Sequence, residues 1–212
     1  MPMTEDNLIQ TFQLEQSNLR GRILRLGSVI DDLLQRHDYP AQVLQLTGEA
    51  AAMALMLSSM LKYEGIFTLQ IQGDGPVDMV VADVTDHGNI RACARYKKDE
   101  EIPEVSNPML LMGKGYLAFT VDQGPDTEKY QGIVALSGKT LQDSIQHYFT
   151  QSEQITTGLR YLLARGDDGH WRAGGIMLQR LPETRGEERG EAHEDDWRRA
   201  MVLLQSCMDH EL

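Results

Sequence analysis

Residues 66–82, IFTLQIQGDGPVDMVVA, contain two alternating runs on either side of a turn. Phe67, Leu69 and Ile71 alternate with polar residues, which is the period of a β-strand that buries one face. Residues 73–76 read Gly-Asp-Gly-Pro, a composition that favours a tight reversal of the chain. The segment therefore predicts an antiparallel hairpin, and it is the clearest guide to the fold.

Further runs of the same kind extend this hairpin into one sheet. A turn at residues 86–89 separates it from a third run, which makes an antiparallel meander, and two later runs have the same strand-like composition. The five strands predicted for this sheet are residues 66–71, 77–82, 90–96, 116–121 and 130–137.

Helices and two more hairpins are predicted around the sheet. Ser28 and Asp31 form a candidate capping pair for a helix to about residue 37, and Thr140 and Asp143 form another before a second amphipathic helix. Between them a helix over residues 41–63 is apolar on nearly all sides, which is typical of a helix buried between layers. The predicted hairpins pair residues 8–14 with 19–26 and residues 155–164 with 171–178. The fold class is α+β, a largely antiparallel sheet core packed with helices, followed by an acidic tether and a linker helix.

The last thirty residues differ in composition from the rest. Residues 183–196 contain seven acidic residues and two arginines with no large aliphatic side chain, which predicts an acidic tether. Beyond it, apolar residues recur at helical spacing, which predicts an amphipathic helix over residues 197–210. The predicted domains are a core at 1–181 and a linker region at 182–212. The residues expected to dock on the core or to meet a partner are Trp197, Met201, Leu204 and Met208.

Composition narrows the range of partners. The 212 residues carry a net charge of −12, which repels phosphate backbones and anionic lipid, so neither nucleic acid nor a membrane is an expected partner. The first residues lack the pattern of a secretory signal, and no run approaches the roughly 20 apolar residues of a membrane span. The expected location is cytoplasmic. The two cysteines, Cys93 and Cys207, are too far apart in sequence to form a C-x-x-C pair.

The motif closest to enzyme chemistry is a strand that runs into Gly138, Lys139 and Thr140. It resembles a phosphate-binding loop, but five residues separate Gly132 from Gly138 where that loop has four. The six histidines form no metal-ligand pattern, and no serine lies in a nucleophile elbow. The sequence therefore predicts no catalytic, cofactor-binding or metal-binding residue, and it predicts a protein that is not an enzyme.

Five segments, in order along the chain, resemble the redox-regulated 33 kDa heat-shock chaperones, the 33 kDa chaperonin family. They are residues 69–76 (LQIQGDGP), 113–120 (GKGYLAFT), 130–138 (YQGIVALSG), 148–155 (YFTQSEQI) and 173–179 (AGGIMLQ). The resemblance implies an ATP-independent holdase of the stress response that binds unfolding or oxidatively damaged proteins and prevents their aggregation. It also implies a core, a helical linker and a zinc domain, in which a C-x-C and a C-x-x-C pair bind zinc until oxidation forms disulfides and unfolds the linker.

This sequence is expected to depart from the family pattern at the zinc domain, because it ends inside the linker. Neither Cys93 nor Cys207 matches a zinc cysteine, so the expectation is a shortened chain without cofactor, whose redox switch is lost and whose activity does not depend on peroxide. The linker helix is expected to cover an apolar face of the core and to uncover a client-binding surface on release. Two alternatives are a nucleotide-binding enzyme of the P-loop type and a non-catalytic module that forms a homodimer by exchanging its last helix.

Overall fold

The computed structural model describes residues 6–124, 127–181 and 191–212, and in these it contains two antiparallel sheets and four α-helices. The predicted α+β class is confirmed. The strands are β1 Asn7–Leu14, β2 Leu19–Leu26, β3 Ile66–Gly73, β4 Val77–Thr85, β5 Ile90–Tyr96, β6 Gly115–Asp122, β7 Tyr130–Ala135, β8 Thr157–Arg165 and β9 Trp171–Arg180. The helices are α1 Ser28–Gln35, α2 Ala41–Ser58, α3 Leu141–Tyr148 and α4 Glu191–Ser206.

The five predicted central strands form one antiparallel sheet in the order β5-β4-β3-β6-β7. The hairpin at residues 73–76 pairs β3 with β4, and Leu69 lies opposite both Ala82 of β4 and Phe119 of β6. Gly73 and Gly115 face each other at the end of the β3–β6 pair, and a Cβ atom on either glycine would collide with backbone. The glycines at this turn therefore allow two backbones to approach closely.

The first and last hairpins join into a second sheet of order β1-β2-β9-β8. Each hairpin is visible in the sequence, but their association is not, because β2 pairs with β9 across about 150 residues of chain. The ladder runs from Leu19 opposite Arg180 to Leu26 opposite Ala173. One face of this sheet lies on α2, and the other faces away from the core.

Helix α2 lies between the two sheets, as its uniformly apolar sequence predicts. Every residue from Leu46 to Ser58 is buried. The helix ends at Ser58 rather than near residue 63, because Ser58 and Ser59 donate their hydroxyl protons to the carbonyl oxygens of Leu55 and Met56.

The charged residue of α2, Glu49, is buried and connects the helix to the second sheet. Its carboxylate accepts hydrogen bonds from Gln45 Nε2 at 3.0 Å and from the Tyr161 hydroxyl of β8 at 2.9 Å. Burial raises the pKa of Glu49 and outweighs the opposing effect of these two hydrogen bonds. The carboxylate thus lies in an apolar interior with both of its oxygens hydrogen-bonded.

The predicted capping role of Ser28 and Asp31 is wrong. Helix α1 has no side-chain cap of its own, and the free amides of Gly27 and Val29 donate instead to Asn7 Oδ1 of β1, each at 3.1 Å. Asp31 points into the protein, where it is bound by residues of the β8–β9 hairpin. The local spacing matched a capping box, but a distant strand supplied the partner. The second predicted pair, Thr140 and Asp143, does form a capping box at the start of α3.

Helix α4 begins earlier and ends earlier than predicted. It spans Glu191–Ser206 instead of residues 197–210, so residues 191–196 of the predicted tether are helical. Acidic side chains such as those of Glu194 and Asp195 are favourable near the positive end of a helix dipole, which explains the earlier start. The rest of the predicted tether, residues 183–190, lies outside the described residues. The division into a core domain and a linker stays a prediction.

Candidate functional site

The face of the second sheet that points away from α2, here called the outer face, carries a continuous set of apolar side chains. The strand pairing places Phe12, Gly21, Leu178 and Gly158 in one row across all four strands. By the same register the apolar residues of this face are Leu8, Phe12, Leu14, Leu19, Ile23, Leu162, Ile176 and Leu178. A sheet with apolar residues on both faces needs a covering layer on each side or leaves one face open to a partner.

Helix α4 covers part of the outer face, on the side of β8. A Cβ atom built on Gly158 would collide with Sδ and Cε of Met201 and would lie 3.1 Å from Cδ2 of Leu204. Leu204 is only 6% exposed, although it lies outside the main core cluster. The absence of a side chain at Gly158 therefore creates the depression in which α4 is seated.

Polar contacts hold α4 near both of its ends. Arg180 of β9 donates to Glu194 Oε2 at 2.7 Å, and Arg160 of β8 forms a 3.1 Å ion pair with Asp209 just beyond the helix. These pairs are partly open to solvent, where each contributes about 1 kcal/mol or less. Arg160 also has its Nε buried without a hydrogen-bond partner, which is a cost of docking.

The four residues predicted to dock do not behave alike. Leu204 is buried, Trp197 and Met201 are half-buried, and Met208, which lies beyond the end of α4 at Ser206, is 61% exposed. Burial of the first three contributes roughly 3 to 6 kcal/mol in total, while fixing the backbone and side chains of the segment costs a comparable amount. Docking of α4 is therefore marginal.

Apolar residues remain open on both sides of the interface. On the outer face, Leu14 is 48% and Ile23 is 42% exposed, although α4 contacts the turn at residues 15–17 between β1 and β2. On α4 itself, Val202 and Leu203 are 65% and 70% exposed. Leu203 widens the apolar stripe of the helix, but in the structure its side chain is turned outward.

Filling the depression at Gly158 is expected to displace α4. We expect Gly158→Val to leave β8 intact, since a β-branched residue suits a strand, and to make the amides of α4 exchange roughly tenfold faster with solvent. Valine is more informative than alanine, because the flexible Met201 thioether can move away from a single methyl group. Hydrogen–deuterium exchange read by mass spectrometry checks this.

The matched control for that experiment is Ala164→Val. It adds bulk to an exposed position of the same strand and face. Exchange in α4 that is the same in Gly158→Val and in the control would contradict the described seat for the helix.

The candidate phosphate-binding loop is already occupied by a side chain. Asp143 Oδ2 accepts the backbone amides of Lys139 at 2.8 Å and Thr140 at 3.0 Å, the groups that would otherwise face a phosphate. Gly138 adopts a positive φ of 75° because the chain turns there into the capping box. The geometry is that of a capped helix start, and a phosphate would have to compete with the carboxylate.

Comparison with known proteins identifies the family to which the chain belongs. The family model described as Hsp33 protein matches residues 7–212. The chain belongs to the Hsp33 family. The 33 kDa chaperonin of Caulobacter vibrioides is 40% identical over 216 residues, covering 98% of this chain and 70% of the relative. That of Photobacterium profundum is 35% identical over 211 residues, covering 99% and 68%.

A solved structure of the Hsp33 family has the same fold. The crystal structure of the 33 kDa chaperonin from Thermotoga maritima matches with a TM-score of 0.77 at 23% identity, covering 96% of this chain and 72% of that one. Membership of the Hsp33 family supports a chaperone function, and the resemblance noted in the sequence is confirmed. The described part of the chain contains no helix long and apolar enough to cross a bilayer.

The zinc site implied by the Hsp33 family does not fit the residues described. Among these residues no group of three or more His, Cys, Asp or Glu side chains is arranged to hold a metal ion. Cys93 is an exposed residue of β5 and Cys207 follows α4, and both are free thiols.

Proposed function

We propose that the chain is an ATP-independent holdase that binds unfolding proteins on the outer face of the second sheet. The observation that carries the proposal is the marginal cover of that face: α4 is seated by Leu204, by half of Trp197 and by the Met201 thioether. When α4 leaves, the apolar surface around Gly158 and Leu178 becomes continuous with Leu14 and Ile23. The surface so formed spans all four strands.

Such a surface suits clients that expose apolar segments without a defined structure. Its apolar side chains are aliphatic, apart from Phe12, and Arg25, Arg160 and Arg180 lie on the same face. Binding through the apolar side chains depends on buried area more than on a specific pattern of hydrogen bonds. The strong negative charge of the chain keeps it soluble while this surface is open and repels nucleic acid. Clients are therefore expected to be recognised by exposed hydrophobicity.

The proposed client binding does not require nucleotide. Release of α4 requires only a few kcal/mol, which thermal fluctuation or a competing client supplies. A cysteine-based switch within these residues is not part of the proposal either, because Cys93 and Cys207 belong to different layers of the fold. A cytoplasmic location is a further part of the proposal, and a homodimer formed by exchange of α4 belongs to the alternative in which the chain is a non-catalytic module.

Light scattering of a thermally unfolding client tests the proposal. We expect the chain to reduce aggregation at stoichiometric concentration, equally with and without ATP, and equally in dithiothreitol and in the thiol oxidant diamide. Suppression that appears only with nucleotide would contradict the holdase assignment. An unrelated acidic protein of similar size is the control for non-specific crowding.

A further inference from the structure

The Met201 side chain combines access to solvent with a central place in the α4 interface. It is half-buried, its sulfur and terminal methyl lie over Gly158, and Leu204 lies beside it. We propose that Met201 is an oxidation site, at which conversion of the thioether to a sulfoxide by a peroxide releases α4 from the outer face.

The chemistry needs no other group of the protein. The thioether sulfur attacks one peroxide oxygen, a sulfur–oxygen bond forms as the oxygen–oxygen bond breaks, and the second oxygen leaves as water after taking up the protons of the peroxide. Sulfur loses two electrons and the peroxide gains two. The product is larger and strongly polar, and it is restored by methionine sulfoxide reductases.

The seat of Met201 is poorly suited to that product. On the sheet side the sulfur faces the backbone of Gly158, where even a methyl group would collide, and on the helix side its neighbour is the apolar Leu204. If the sulfoxide oxygen stays in the depression, it loses its hydrogen bonds to water without gaining a polar partner. If it turns to solvent, it moves the side chain out of the depression. Both outcomes favour the undocked helix.

Among the described residues, Met60 and Met79 are also half-buried, but they lie after α2 and in β4 rather than on α4. The other methionines of this part of the chain lack one of these two properties. Met53, Met56, Met112 and Met177 are fully buried within the core and are protected from oxidant. Met208 is 61% exposed and reacts readily, but it lies beyond the end of α4 at Ser206. Met208 is therefore the natural control for oxidation without release.

The experiment uses the full chain with both cysteines changed to serine, so that thiol oxidation cannot contribute. Hydrogen peroxide is added in steps, peptide mapping gives the sulfoxide fraction at each methionine, and hydrogen–deuterium exchange follows residues 191–206. We expect exchange in α4 to rise roughly tenfold, a change of about 1.4 kcal/mol, in proportion to sulfoxide at Met201. Met208→Leu should keep this response and Met201→Leu should lose it.

A second variant keeps the test informative if leucine does not fit the seat. Met201→Gln places a polar group of similar length there and should show fast exchange in α4 without any peroxide. Sulfoxide at Met201 with unchanged exchange in α4, or an undiminished response in Met201→Leu, would overturn the proposal.

Any effect on client binding rests on the proposed function, and it would replace the expectation that activity is independent of peroxide. Exchange in α4 is measured without a client, so the two proposals fail separately. Release of α4 without a gain in aggregation suppression would leave the oxidation site standing and would count against the outer face as the client surface.

Discussion

Replacing Trp197 and Met201 together by aspartate is expected to increase the suppression of client aggregation. The two substitutions remove about 3 kcal/mol of apolar burial and place two carboxylates against an apolar sheet, which raises the ratio of undocked to docked helix by roughly a hundredfold. Because docking is marginal at the outset, the helix should be released from almost every molecule. Light scattering with a thermally unfolding client, at several ratios of chain to client, measures the gain.

The chain provides a close control for this double variant. Val202→Asp with Leu203→Asp adds the same charge to the same helix at positions that are already 65% and 70% exposed. We expect it to leave α4 docked and the suppression near that of the unchanged chain. Equal gains from the two double variants would show that charge or helix unfolding is responsible, and an unchanged or lower activity for the first would contradict the role of α4 as a cover.

Replacing Asp31 by alanine is expected to lower the free energy of unfolding by about 3 kcal/mol. The buried carboxylate accepts hydrogen bonds from the amide of Trp171 at 2.9 Å, from His170 Nδ1 at 2.6 Å and from Gln35 Nε2 at 2.6 Å. Its loss leaves the Trp171 amide without this acceptor and detaches α1 from the β8–β9 hairpin. Chemical denaturation at pH 7 measures the difference, and Asp32→Ala, which removes an exposed carboxylate from the same helix, is the control.

The pH dependence of this difference has a definite sign. Burial by itself would raise the pKa of Asp31, but the hydrogen bonds from Trp171, His170 and Gln35 lower it below its ordinary value of 3.8. A carboxyl whose pKa is lower in the folded state stabilises the protein above the unfolded pKa and loses that contribution as the pH falls through the folded pKa. The gap between the unchanged chain and Asp31→Ala should therefore be constant above about pH 5 and should narrow below pH 4. A gap that widens on acidification would contradict the assignment.

The parts of the fold that the sequence predicted are those governed by neighbouring residues. The alternation of Phe67, Leu69 and Ile71 with polar residues needs no knowledge of the rest of the chain, and neither does the capping box at Thr140. Asp31 shows the limit of such reasoning. Its spacing from Ser28 fits a cap, yet the carboxylate is used by Trp171, which lies 140 residues away and reaches it only because β9 joins the second sheet.

In the candidate site, too, some residues could be predicted from local spacing and others only from the tertiary structure. Helical spacing identified Trp197, Met201 and Leu204, but it also included Met208, which is 61% exposed because α4 ends at Ser206 and Met208 lies beyond it. No role could be predicted for Gly158 from the sequence, because a glycine in a strand has several possible explanations. Only the register that brings it opposite Leu178, under Met201, gives it a role.

Glu49, the single acidic side chain of α2, limits the ways in which the helix can be aligned with the second sheet. A helix that is apolar on all sides could rotate about its axis, or shift along it by one residue, with little change in its buried surface area. Glu49 and Gln45 remove that freedom, because Glu49 accepts the Tyr161 hydroxyl and Gln45 Nε2 donates to the Leu163 carbonyl oxygen, each at 2.9 Å and both on β8. Tyr161 belongs to the same strand as Gly158. The hydrogen bond between Glu49 and Tyr161 therefore also fixes the position of the depression at Gly158, where α4 docks, relative to α2.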